Sequence, residues 1–125
     1  MPLPTLHVAC LCAAWCRLCD DYRAVVREVA ADPAPCGPVL KWHWIDIEDE
    51  ADLLGDVDVE TFPTLVIADR VTVRFAGPLT PQPEILRRLL RATILDAQSD
   101  AQWPPAPDEL RAFAARLEQR PADTI

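Results

Sequence analysis

Residues 5–31 read TLHVACLCAAWCRLCDDYRAVVREVAA, and the change of period inside this stretch decides the fold. Thr5 to Cys12 is a short apolar run that carries no Asp, Glu, Lys or Arg. A run of that kind reads as a strand buried on both faces, as in a parallel sheet. From Cys16 to about Ala31 the period becomes helical. Tyr22, Val25, Val26 and Val29 recur on one side, while Arg23, Arg27 and Glu28 fall on the other. Asp20 and Asp21 sit in the first turn, where carboxylates suit the positive end of the helix dipole.

Working outward, Asp32 to Pro38 (DPAPCGP) is a loop by composition. Val39 to Ile47 (VLKWHWIDI) reads as a second strand, which completes a βαβ unit. A short helix over Glu50 to Leu54 ends near Gly55. Thr64 to Ala68 (TLVIA) and Val71 to Phe75 (VTVRF) are two strands separated by Asp69-Arg70, so a tight antiparallel hairpin is expected. Gly77-Pro78 breaks the chain. Pro83 to about Asp96 is an amphipathic helix carrying Ile85, Leu86, Leu89, Leu90 and Ile94. Gln98 to Pro107 is a proline-rich connector, and Asp108 to Gln119 a last helix with Leu110, Phe113, Ala114 and Leu117 on one stripe. The expectation is an α/β domain over residues 1–97, built on a mixed four-stranded sheet flanked by helices, followed by a linker and helical extension over 98–125. That last helix either docks on the domain, the favoured reading, or serves as an arm for a protein partner.

The chain has 125 residues, half of them apolar and 26% charged, which excludes collagen-like, wholly disordered and multi-span membrane classes. A domain of this size buries enough surface to fold without disulfide staples. The net charge of −8 makes nucleic acid and anionic membrane poor partners. Eight acids and no base lie between Asp46 and Glu60, and the remainder of the chain is neutral. This segment is either a solvated face or a surface that selects partners. The first sixteen residues are free of Lys, Arg, Asp and Glu, yet they have no basic start and are interrupted by Pro2 and Pro4, so no export signal is expected. No run of about eighteen apolar residues exists to span a membrane. A cytoplasmic location is the default, and there paired cysteines mean redox or metal chemistry rather than scaffolding.

The chemistry is expected at Trp15-Cys16-Arg17-Leu18-Cys19. A strand end delivers the first cysteine to a helix N-terminus, where free N–H groups and the helix dipole stabilise a thiolate. Three residues on, the chain has come almost one turn round, and the second sulfur is placed to attack a mixed disulfide formed by the first. Cys16 is then the exposed nucleophile and Cys19 the more buried resolving thiol, paired in the oxidised form as a Cys16–Cys19 disulfide. A metal alternative draws on Cys10, Cys12, Cys16 and Cys19, with His7 and His43 as further ligands. It is disfavoured because Cys10 and Cys12 sit mid-strand on one face, where free cysteines act as small core hydrophobes. Cys36 in its proline-rich loop reads as an inert surface thiol, a regulatory thiol or a dimer link, the first being favoured.

With these residues in place the sequence resembles the thioredoxin family. The matching pieces are Ala14-Trp15-Cys16-x-x-Cys19, the strand ending in Ile45-Asp46, Val59 to Leu65 (VETFPTL), and Phe75-Ala76-Gly77 before a helix. They run in the family's order from about Thr5 to Asp96. The resemblance implies a thioredoxin-like fold with Pro63 in a cis peptide beside the cysteine pair, and a substrate-facing surface formed by Trp15, Arg17, Phe62 and Pro63. It implies a protein-disulfide oxidoreductase that needs no cofactor or metal and is recycled by a thioredoxin-reductase-like electron donor. The departures are specific. The arrangement before the motif strand is shorter than in thioredoxins and closer to glutaredoxins. The family's buried Asp, six residues before the nucleophile, is Cys10 here. Its lysine four residues before the Asp of the second strand is Trp42. The usual Gly-Pro between the cysteines is Arg17-Leu18, where Arg17 favours a Cys16 thiolate, while Asp20 and Asp21 disfavour one at Cys19. These substitutions predict an altered rate and potential. The alternatives are a thioredoxin-fold binding or assembly factor with little turnover, or a metal-binding cysteine cluster. The acidic segment predicts protein disulfides on neutral or basic surfaces as substrates, rather than anionic glutathione.

Overall fold

A computed structural model describes residues 5–31, 39–69, 72–80, 82–95 and 106–123. Cys36, Trp103 and Asp96 lie outside the described residues. The elements run β1 (Thr5–Cys12), α1 (Arg17–Ala30), β2 (Val39–Asp46), α2 (Ala51–Leu54), β3 (Thr64–Ala68), β4 (Val73–Pro78), α3 (Pro83–Leu90) with a π turn over Arg91–Leu95, and α4 (Asp108–Leu117). The sheet has four strands in the order β2-β1-β3-β4. β1 pairs parallel with β2 and antiparallel with β3, and β3 pairs antiparallel with β4. This is the expected mixed sheet of a βαβ unit followed by an antiparallel pair.

β1 is central and apolar on both faces, so its alternate residues feed two cores. Leu6, Val8 and Cys10 meet Leu65 and Ile67 of β3, Tyr22, Val26 and Val29 of α1, and Leu86 and Leu90 of α3. On the opposite face Ala9 and Leu11 join Ile45, Val66, Ala68 and Leu54, and this face is covered by Phe113, Ala114 and Leu117 of α4. The last helix therefore docks. Phe113 and Leu117 are fully buried, and burial on that scale stabilises by roughly 1.5–3 kcal/mol per side chain.

Two expected elements differ. The second hairpin strand is Val73–Pro78 rather than Val71–Phe75. Asp69 closes the turn by accepting Thr72 N–H on Oδ1 at 2.6 Å and donating its own N–H to Thr72 O at 2.9 Å. Strand pairing therefore resumes only at Ala68↔Val73, with a bulge beside it, and runs on through Gly77 to Pro78. Gly77-Pro78 is thus the end of a strand instead of a break after one. The helix from Pro83 leaves α geometry at Arg91. Thr93 Oγ1 donates to Leu89 O at 2.7 Å, and Arg74 Nη1 donates to Thr93 O at 2.8 Å. Both bonds compete with the ordinary i to i−4 ladder.

The chain after α4 is fastened to the edge strand β2. Asp123 N–H donates to Trp42 O at 2.9 Å, and Trp44 N–H donates to Asp123 Oδ2 at 2.7 Å. Arg120 grips Glu50 through two N–H groups at 2.8 and 3.0 Å, a fork-to-carboxylate geometry. Arg116 donates to the carbonyls of Leu53 and Leu54 at the end of α2. Gly55 follows there with φ of 63°, a conformation that favours glycine.

Candidate functional site

The Cys-x-x-Cys motif lies where β1 hands over to α1. Cys16 N–H donates to Ala13 O at 3.0 Å, closing a turn that leaves Cys16 as the N-cap of α1, in extended conformation with φ −90° and ψ 116°. α1 then buries Cys19, Tyr22, Val26 and Val29 at helical spacing. The first of these positions draws Cys19 under the surface, where it is 2% exposed, while Cys16 stays half-buried at the rim. Cys19 thus sits inside Cys16, three residues on, in the first turn of α1.

Burial is the main reason that the Cys19 thiol is held above its ordinary value, opposed by hydrogen bonds from Cys12 and the Ala13 amide and reinforced by Cys16. The direction matches the expectation, but the cause is desolvation rather than Asp20 and Asp21. Cys10 and Cys12 are both buried. Burial pushes each of their thiols strongly up, and the neighbouring sulfurs add to the effect.

Trp15 is 67% exposed beside Cys16. Its ring meets Phe62 edge to face at 5.5 Å and 87°. Its Nε1–H donates to Glu48 Oε1 at 3.0 Å. The Phe62-Pro63 peptide is cis, and Pro63 itself is buried just before β3. Trp15 and Phe62 thus join the motif loop to the cis-proline loop. Arg17 and Leu18 are exposed on the first turn of α1, Leu18 by 51%.

His7 and His43 do not join the cysteines. Residues alternate across the sheet, so Cys10 and Cys12 face α1 while His7 and His43 face the α4 side. Among the described residues no group of three or more His, Cys, Asp or Glu is arranged to hold a metal. The histidines serve the tail instead. Arg120 Nη1 lies 3.0 Å from His43 Nδ1, His43 Nε2 lies 2.8 Å from His7 Nδ1, and His7 Nε2 lies 3.1 Å from Glu118 Oε1. Arginine only donates and carboxylate only accepts, so the chain runs Arg120 to His43 to His7 to Glu118 with each imidazole carrying its proton on Nε2. Burial, with help from His7 and Arg120, lowers the His43 pKa to about 4, which keeps the ring neutral.

Several contacts were not legible in the sequence. Within the acidic segment, Asp46 Oδ1 accepts the Glu48 and Asp49 amides, Glu48 holds Trp15, and Glu50 holds Arg120. A patch of like charges gives no signal for which member takes which partner.

No protein-family model matches the chain, and no curated sequence does. Solved structures do match. A malarial protein superposes with a TM-score of 0.60 at 16% identity, over 71% of this chain and 97% of its own. A single-residue mutant of a thioredoxin from Halobacterium salinarum gives 0.58 at 20% identity, over 70% and 74%. The germline-specific thioredoxin Deadhead from Drosophila melanogaster gives 0.55 at 16% identity, over 71% and 81%. With its mixed open sheet, its cis-proline loop and its helices on both faces, this chain has a thioredoxin-like fold.

Proposed function

We propose that the chain is a dithiol oxidoreductase that reduces or exchanges protein disulfides through Cys16 and Cys19. One observation carries this reading: a half-buried Cys16 at the N-cap of a 14-residue helix, with a buried Cys19 in the first turn of that same helix. Cys16 as thiolate attacks a substrate disulfide, forming a mixed disulfide and releasing one substrate thiolate. Cys19 then loses its proton and attacks the Cys16 sulfur, forming Cys16–Cys19 and releasing the second substrate thiolate. Trp15, Arg17, Phe62 and Pro63 line the approach. A thioredoxin-reductase-like donor in a reducing, cytoplasmic setting returns the dithiol. Among the described residues no helix is long and apolar enough to cross a membrane.

Cys10 supports a second reading, a binding or assembly factor with slow turnover, because a buried thiol stands where thioredoxins carry a buried acid. Insulin reduction under dithiothreitol separates the two. Turnover is expected with the unaltered chain and is abolished by Cys16→Ser, while Cys19→Ser accumulates a mixed disulfide with substrate. Absence of turnover together with absence of a trapped species would refute the oxidoreductase reading. Cys10→Asp is expected to change the pH profile of exchange.

A further inference from the structure

A cleft of about 390 Å³ opens on the side of the sheet that α4 covers. Leu11 and Val66, both fully buried, form its floor. Val57 and Val59, from the segment between α2 and β3, and Leu110 of α4 form its walls, each half-buried against the core of that face. β4 closes it with Ala76, which pairs with Val66. The volume falls in the range of small-ligand sites, roughly 300–1,000 Å³. The cysteines and Trp15 take no part in it. Thr61 and Thr64 of its lining stand on either side of Phe62-Pro63, so the cleft backs onto the cis-proline loop without including it.

The mouth carries one sign of charge. Asp58, Glu60 and Glu109 line it and are exposed. Among the described residues no Lys, Arg or His lines it. The bases of α4 are engaged elsewhere: Arg111 pairs with Asp108, and Arg116 donates to the carbonyls of Leu53 and Leu54. The positive end of α4 is answered by Asp108 and Glu109 in its first turn. The Thr64 hydroxyl donates to Thr61 O and is not free to donate to a ligand. Among the described residues no group of three carboxylates is placed to hold a metal ion. The cleft therefore repels anions, attracts positive charge at its mouth and offers hydrocarbon below it.

We propose that this cleft binds a small organic cation with an aliphatic body, an alkylamine in chemical class. The ammonium stays at the mouth, partly hydrated, among Asp58, Glu60 and Glu109. The hydrocarbon lies over Leu11, Val66 and the two valines, in the way that a lysine stem covers apolar surface while its head stays in water. Each methylene buried strengthens binding by about fourfold. The charge contribution weakens with salt, because the carboxylates are exposed, and the methylene contribution does not. This site is separate from the dithiol chemistry and stands whether or not that reading holds.

The test titrates the full reduced chain, labelled with ¹⁵N, with n-hexylamine at neutral pH and low salt, and follows the backbone amides. Saturable shifts are expected at residues 57–61, Val66 and Leu110. Binding is expected to be about tenfold tighter than for n-butylamine, and at least tenfold tighter than for hexanoate. Added salt should weaken both amines and preserve the ratio between them. Ala76→Phe fills the cleft from its exposed β4 side and should weaken hexylamine at least tenfold. Glu60→Gln with Glu109→Gln should erase most of the preference for hexylamine over hexanol. Both of these side chains are exposed, so the double variant keeps its urea midpoint and decides the matter if Ala76→Phe does not fold. The inference is overturned if hexylamine shifts no amide of the cleft. It is equally overturned if the two amines bind alike with shifts spread along residues 49–60, which would show only a diffuse attraction to the acidic segment.

Discussion

Under the cysteine pair, Tyr22 is fully buried, and its hydroxyl is the one buried side-chain polar atom without a hydrogen-bond partner among the described residues. Burial raises its pKa strongly, and Cys10 and Cys12 reinforce the effect. An unpartnered buried hydroxyl costs about 1–3 kcal/mol of desolvation, and the isosteric ring without it does not. Tyr22→Phe is therefore expected to raise stability by about 1 kcal/mol, read as a higher urea midpoint at unchanged slope. A loss of that size would show that the hydroxyl is bonded after all. Cys10 belongs to the same buried cluster as Tyr22. An ionised acid in this face would meet Tyr22, Cys12 and Cys19 with no cation among its core neighbours, and an unpaired buried charge is far more costly than a thiol.

The element that the sequence placed least firmly, α4, proves to close the second face of the sheet. Phe113→Ala removes a fully buried ring from between α4 and β1, and a cost of about 3–5 kcal/mol is expected in urea unfolding. An unchanged midpoint would mean that the helix does not pack on the domain in solution. The joint beyond α4 is pH-sensitive. Unfolded, His43 has an ordinary pKa of 6.5; folded, it is lowered to about 4. Between those values the unfolded chain binds more protons, so stability falls as pH drops from 6.5 to 4 and is flat in this group outside that window. The total is on the order of 3 kcal/mol, at about 1.4 kcal/mol per unit. His43→Gln keeps the donor toward His7 and removes the titration. Its stability difference from the unaltered chain is expected to be larger at pH 7 than at pH 5, and an equal difference at both would sink the assignment. Neither effect was readable beforehand. β1 and α1 were legible because a double-faced apolar run and a 3.6-residue period are local signals. The His7–Glu118 contact joins residues 111 apart, and only the placement of α4 reveals it. The second hairpin strand was expected over Val71 to Phe75 because that run alternates, whereas the Asp69–Thr72 turn takes Thr72 and the strand runs Val73–Pro78.

Across the whole molecule the charge is gathered where the proposed site is. The net charge is −8, and the segment from Asp46 to Glu60 supplies eight acids. Asp46 and Glu50 are engaged by the backbone turn and by Arg120. Asp49, Asp52, Asp56, Asp58 and Glu60 stay exposed. The segment starts beside Glu48, the partner of Trp15, and ends two residues before Phe62, which meets the same ring. It therefore borders both walls of the approach to Cys16. Charges held on one rim act on an incoming substrate before contact. They raise the encounter rate for cations and lower it for anions, by about tenfold or more at low salt. A disulfide peptide flanked by lysines is expected to show a kcat/KM about ten times that of the same peptide flanked by glutamates. The ratio should collapse toward one near 1 M salt, where the screening length falls to about 3 Å. Asp49→Asn, Asp52→Asn, Asp56→Asn and Asp58→Asn together should shrink it at low salt while leaving the thiol content of the site unchanged. Glutathione disulfide, which is anionic, belongs with the disfavoured class. If it is reduced as fast as the lysine-flanked peptide at low salt, the acidic rim does not select substrates, and its residues serve only Trp15, Arg120 and the turn at Asp46.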